Sequence, residues 1–169
     1  MKKIWNKVPR GIRNHNPLNI RRNPKQKWVG EVEFLERAEE GELSTKEYDQ
    51  TFCQFSDIIF GWRAAFITLH TYITKHKCNT ITKIINRWAP PSENATKNYI
   101  NTVSFYSNVE PDTEFDFWNK MVILKVAAAM CVAENGAAFD PLRNTKEIGY
   151  MEGGYEAAKF KITHSDERR

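Results

Sequence analysis

Residues 121–133 are apolar at every position except Lys125. A run of that length is too long for an ordinary strand and cannot be left in water, so it predicts a helix enclosed on most sides by other elements. Glu134-Asn135-Gly136 follows it, and Gly136 is a natural left-handed C-cap. Any fold for this chain must therefore supply neighbours that wrap one apolar helix.

The remaining sequence offers them. After Asp57, the residues Ile58, Phe60, Trp62, Ala65, Phe66, Leu69, Tyr72 and Ile73 recur at helical spacing, with Ser56 available as N-cap, and predict a long core helix. Asn79 can cap a second helix over residues 80–88, which Pro90 and Pro91 must end; Ser92 can cap a third over 94–106. Asp116 precedes the central helix, a last helix is expected over 151–161, and the tail from 162 should fray. Residues 28–35 and 50–55 alternate apolar with polar side chains, which suits a small β-hairpin whose exposed tip is the acidic stretch between them. The expectation is a mainly α (α+β) fold. With 169 residues, 41% of them hydrophobic, one domain over 1–169 has enough apolar surface for a single core.

Several function classes lose support at this level. No run approaches the roughly 18 apolar residues of a membrane helix, and the basic start lacks the apolar stretch of an export signal, so no membrane insertion is expected. His15, His70, His76 and His164 lack metal-ligand spacing. Cys53, Cys78 and Cys131 form no C-x-x-C pair and read as reduced, mostly buried thiols. Neither a metal nor another cofactor is expected. The net charge of +4 favours anionic partners such as cell-wall polymers, and no nucleic-acid motif accompanies it.

Three constellations can carry chemistry. Glu134 lies at the last turn of an enclosed helix, where the dipole and a low dielectric both disfavour its ionised form; that suits a general acid for a glycosidic oxygen. On its own, a Glu beside a capping Gly is usually a solvated helix end. Residues 10–22, RGIRNHNPLNIRR, gather guanidinium and amide groups in Arg13, Asn14, Asn16 and Asn19, fit for a ligand rich in hydroxyls and amides, or for a loop that satisfies its own backbone. Residues 86–96, NRWAPPSENAT, bring Trp88, Glu93 and Asn94 to a helix corner shortly before Tyr99, with Trp88 either a sugar-stacking platform or a packed ring.

Taken in order, these segments resemble a phage and prophage protein family with an RGIRNNNPGNIR-like start, an RWAPPSEN-x-T-x-x-Y middle and an ENG end. The likeness spans residues 10–136 and departs from the pattern at His15 and Leu18, where the family tends to have Asn and Gly. Residues 130–141, with Glu134-Asn135-Gly136 and Phe139-Asp140-Pro141, are also similar to the Glu-bearing signature of lytic transglycosylases. In those enzymes that helix comes first; here it comes last. The resemblance implies a lysozyme-like domain, circularly permuted, with Glu134 as its acid and Arg13, Asn14, Asn16, Asn19, Trp88, Glu93, Asn94 and Tyr99 along the substrate groove. The implied partner is the glycan strand of peptidoglycan, reached by lysis, in a virion or through secretion-machinery proteins. A two-carboxylate muramidase would draw its partner from Glu31, Glu33 or Glu93, and a phage-type lysozyme would use Glu31 or Glu33 as the acid. A virion structural or wall-binding protein without catalysis would keep the groove and not depend on Glu134.

Overall fold

The computed structural model describes residues 8–37, 45–89 and 93–165. Among these, six helices dominate: α1 (Arg10–Arg13), α2 (Ile58–Thr74), α3 (Ile81–Trp88), α4 (Glu93–Ser107), α5 (Lys120–Asn135) and α6 (Thr145–His164). The mainly helical class expected from the periodicity is the one observed. The long apolar stretch is α5, and residues 126–132 along it are all buried, as such a segment requires. Helix α4 packs along α5 and α6 along α2. Trp62, Phe66 and Leu69 of α2, Ile81, Ile84 and Ile85 of α3, and Met151 and Tyr155 of α6 complete one core with it. The Tyr155 ring stands edge-on to Phe66 at 5.4 Å, and its hydroxyl donates to the carbonyl of Phe117.

The strands are shorter and differently arranged than a single hairpin. β1 (Glu31–Val32) pairs antiparallel with β4 (Gln54–Phe55), in the register Glu31 with Phe55 and Val32 with Gln54. A separate antiparallel ladder joins β2 (Leu35–Arg37) to β3 (Thr45–Glu47), so part of the acidic stretch is paired strand and not merely a tip. Helix starts also shift by a residue or more. Asp57, not Ser56, caps α2 by accepting from the Ile59 N–H at 2.8 Å, because the Ser56 N–H is still bound to the carbonyl of Gly30. Thr80, not Asn79, caps α3. Asn144 caps α6, which starts six residues before the expected position; Gly149, in the added stretch, weakens the helical pattern there. Ser92 lies outside the described residues.

The polar N-terminal loop is built into this framework. Asn16 is wholly buried, its amide donating to the carbonyls of Ile20 and Cys53 at 2.9 Å while its oxygen accepts from the Ile20 N–H. Arg22 then clamps loop to strands. It donates to the carbonyls of Asp49 and Val32, to Gln54 and to Glu31, whose carboxylate lies 3.0 Å away and is only 8% exposed. Asp49 answers with its own carboxylate, which accepts from the N–H groups of Thr51 and Phe52 and from the Asn14 amide. Burial pushes the Asp49 carboxyl up, but these donors outweigh it and hold it below its ordinary value. Arg22→Ala is expected to destabilise by about 2 kcal/mol, because Glu31 is left buried without its partner. Arg22→Lys should recover little of that loss, since an ammonium cannot span the four acceptors. Thermal unfolding of the two variants checks both statements.

Candidate active-site groove

A groove of about 410 Å³ opens where the N-terminal loop faces α2 and the end of α3. One wall is Asn19, Arg21, Asn23, Gln26, Trp28 and Phe52; the other is Thr68 and Tyr72 of α2 with Trp88 and Ala89. Glu134 lies between them, and it is the one carboxylate among the described lining residues. The local reason is the end of α5. The helix stops at Gly136, whose φ of 94° suits glycine, and leaves Glu134 on its last turn. Asn135, the next residue, turns inward and donates to the carbonyls of Pro17 and Cys131, which locks the loop to the helix end.

Both oxygens of Glu134 are held. The Asn19 amide donates to Oε2 and the Tyr99 hydroxyl to Oε1, each at 2.8 Å. Burial first, and then the neighbouring Glu134 carboxylate, push the Tyr99 phenol well above its ordinary value, so it remains a hydrogen-bond donor at any physiological pH. Asn19 reaches the carboxylate from a left-handed backbone, φ 51°. His15 is left-handed too, φ 50°, whereas Leu18 has no positive φ and packs wholly buried in the core. Leu18 therefore costs the loop no backbone strain, whereas His15 holds a conformation that Asn would tolerate well.

The nominated residues fall into distinct groups. Asn19 and Tyr99 touch Glu134, and Trp88 shares its groove, set edge-on to Tyr72 at 5.8 Å. Asn14 and Asn16 are buried, donating to the Asp49 carboxylate and to the carbonyls of Ile20 and Cys53, and so tie the loop to the segment before β4. Arg13 lines a larger cavity, about 840 Å³, that excludes Glu134. Of the three described carboxylates that line it, Asp57 and Asp140 are engaged in capping helix starts and Glu147 stands in the first turn of α6; none has both oxygens held by an amide and a phenol, as Glu134 has. Glu93 and Asn94 stand in the first turn of α4, and their side chains lie outside the described residues. Glu31 is tied to Arg22 and to the Trp28 N–H, and Glu33 is exposed away from the groove lining. Trp28, Phe52, Arg21, Thr68 and Tyr72 are groove residues that the sequence reading passed over. Thr68 and Tyr72 are four apart on α2 and so share one face, but Thr71 and Thr74 on the same helix keep that spacing from singling them out.

Two substitutions separate holding the carboxylate from building the fold. Tyr99→Phe and Asn19→Gly, the latter keeping the left-handed backbone, are each expected to lower the turnover of any Glu134-dependent reaction about tenfold with little change in KM. Steady-state kinetics beside a thermal melt checks this, and an unchanged turnover in both variants would remove the positioning role.

No described helix is long and apolar enough to cross a membrane. No family model matches the chain. Protein P5 of Pseudoalteromonas phage PM2 is 33% identical to it over 150 residues, covering 86% of this chain and 84% of that protein. Likeness of that extent shows the family, and the chain belongs to the family of phage PM2 protein P5.

Proposed function

We propose that this protein cleaves the glycan strands of peptidoglycan at the bond between N-acetylmuramic acid and N-acetylglucosamine, as a lytic transglycosylase of lysozyme-like kind. The observation that carries the reading is Glu134: a single carboxylate with both oxygens held by fixed donors, in a groove edged by Trp28, Tyr72 and Trp88. Aromatic faces suit the apolar faces of sugar rings, and the amides of Asn23 and Gln26 suit hydroxyl and N-acetyl groups.

One carboxylate is enough for the non-hydrolytic route. The protonated Glu134 donates to the glycosidic oxygen, and the bond from that oxygen to C1 of the muramyl residue breaks, freeing the N-acetylglucosamine hydroxyl. The resulting carboxylate then takes the proton of the muramyl 6-hydroxyl while its oxygen bonds to C1, closing a 1,6-anhydro ring with no water consumed. Asn19 and Tyr99 can stay bound throughout, because a protonated carboxyl keeps acceptor capacity on both oxygens. A hydrolytic route would need a second carboxylate to activate water, and Glu134 stands without one among the described lining residues.

Product analysis tests the proposal. Mass spectrometry of fragments released from purified sacculi should show muropeptides lighter by one water than hydrolytic products. Fragments ending in a reducing muramic acid would replace the transglycosylase with a muramidase. No release from sacculi of several bacteria, by folded protein, would favour a virion or wall-binding role instead.

A further inference from the structure

Arg21 and Arg22 are adjacent and have opposite fates. Arg21 is bridged to Phe52 across an antiparallel pair, with Arg22 N–H bound to Thr51 and Cys53 N–H bound to Ile20 on either side. Successive side chains on extended backbone point to opposite faces. Arg22 accordingly turns into the clamp with Asp49, Glu31 and Gln54, while Arg21 turns to the groove. Its guanidinium carbon lies 5.1 Å from the centroid of the Phe52 ring, which also lines the groove. A second guanidinium, Arg10, lies 4.0 Å from the same centroid and has the Asp49 carboxylate acting on it. Among the described residues, no carboxylate pairs with Arg21. A neutral sugar chain gives a charged, ring-backed guanidinium nothing to neutralise it. A carboxylate attached to that chain does.

We propose that Arg21 is a specificity-determining residue that binds a carboxylate carried on the muramyl side arm of the substrate. The inference rests on the reading of this groove as a glycan site. The anion is either the lactyl carboxylate of a muramyl residue without peptide or a carboxylate of the attached peptide, and both present the same two oxygens to the guanidinium. Arg21 thereby selects muramyl-containing strands over uncharged N-acetylglucosamine polymers.

Binding is measured by sedimentation with purified sacculi, either native or with their carboxylates converted to neutral amides by carbodiimide and ammonia. Fragment release is read in parallel. The wild type should bind native sacculi about tenfold more tightly than amidated ones, the scale of one charge-assisted hydrogen bond at a partly exposed site. Arg21→Gln should bind both forms alike, at the weaker level, with KM for native sacculi raised by a similar factor. Lys25→Gln makes the same charge change outside the groove lining and should keep the wild-type preference. Competition by soluble strands stripped of peptide with an amidase, which retain the lactyl carboxylate, identifies the source. Competition as strong as that of peptide-bearing strands assigns the lactyl group, and weaker competition assigns the peptide. The proposal is overturned if Arg21→Gln retains the discrimination, or if Lys25→Gln loses it equally and so reveals only a general field. Charge-dependent binding through Arg21 without fragment release would overturn the glycosidase reading and leave the anion site standing.

Discussion

Replacing Glu134 by glutamine is expected to lower strand cleavage about 10³-fold while leaving the fold and strand binding intact. The substitution is close to isosteric, and the Glu134 pocket can receive an amide. The Tyr99 hydroxyl can donate to the glutamine oxygen, and the Asn19 side chain, with an amide of its own, can turn to present its oxygen to the new N–H group. What is lost is the proton: an amide neither protonates the leaving oxygen nor takes a proton from the 6-hydroxyl. The melting temperature should change by no more than about 3 °C, the equivalent of one hydrogen bond in a chain of this size. Fragment release and sedimentation binding, measured on the same preparation, separate the outcomes. Cleavage that survives at more than about a tenth of the wild-type rate would exclude Glu134 as the acid. Loss of binding along with cleavage would point to a misfolded groove, which a circular dichroism melt detects.

The central helix was legible because little else can be done with thirteen residues that include a single charge. Its neighbour α2 was legible for a similar reason, since its apolar side chains recur at a spacing only a helix satisfies. The caps were less so. Asp57 and Ser56 are both competent N-caps, and what separates them is a hydrogen bond from Ser56 to Gly30, which is twenty-six residues earlier in the chain. The start of α6 was hidden by Gly149, which weakens helical propensity without forbidding a helix that Asn144 caps and α2 supports.

The groove was legible in its pivot and opaque in its partners. Glu134 stands out because it adjoins a capping glycine at the end of the most constrained helix. Its pairing with Tyr99 depends on the register in which α4 lies along α5, a tertiary fact with no local trace. Asn14, Asn16 and Asn19 are three equivalent amides in one short loop. Only backbone geometry sends two of them into the protein and the third, in a left-handed conformation, to the carboxylate. The same holds for Arg21 and Arg22, where alternation along an extended segment divides a groove residue from a clamp. Trp28 and Phe52 have apolar rings indistinguishable in sequence from core, and they became groove walls because the loop folds back over α2.

That dependence on one loop makes Gly61 the position where the fold and the site fail together. A Cβ added there would collide with the carbonyl oxygen of His15 and sit 2.9 Å from Cδ of Pro17. Neither obstacle is a flexible side-chain end. His15 is in a left-handed turn, and the loop beyond it is fixed by Asn16 and by Asn135, which bonds to the carbonyl of Pro17. Gly61→Ala therefore has to push α2 and the loop apart, at a cost of about 3 kcal/mol and a melting temperature lower by about 10 °C. Gly149→Ala provides the opposite sign in the same protein. Gly149 is exposed on α6 with nothing near the position of its missing Cβ, so alanine should stabilise by about 0.5–1 kcal/mol through helix propensity alone. If Gly61→Ala melts at the wild-type temperature, the close approach of α2 to the loop is wrong. If it melts low yet cleaves normally at a temperature where it is still folded, Asn19 does not depend on the loop's seat. The expected result is both losses at once, because the displaced segment carries Asn19, and with it the donor that holds Oε2 of Glu134.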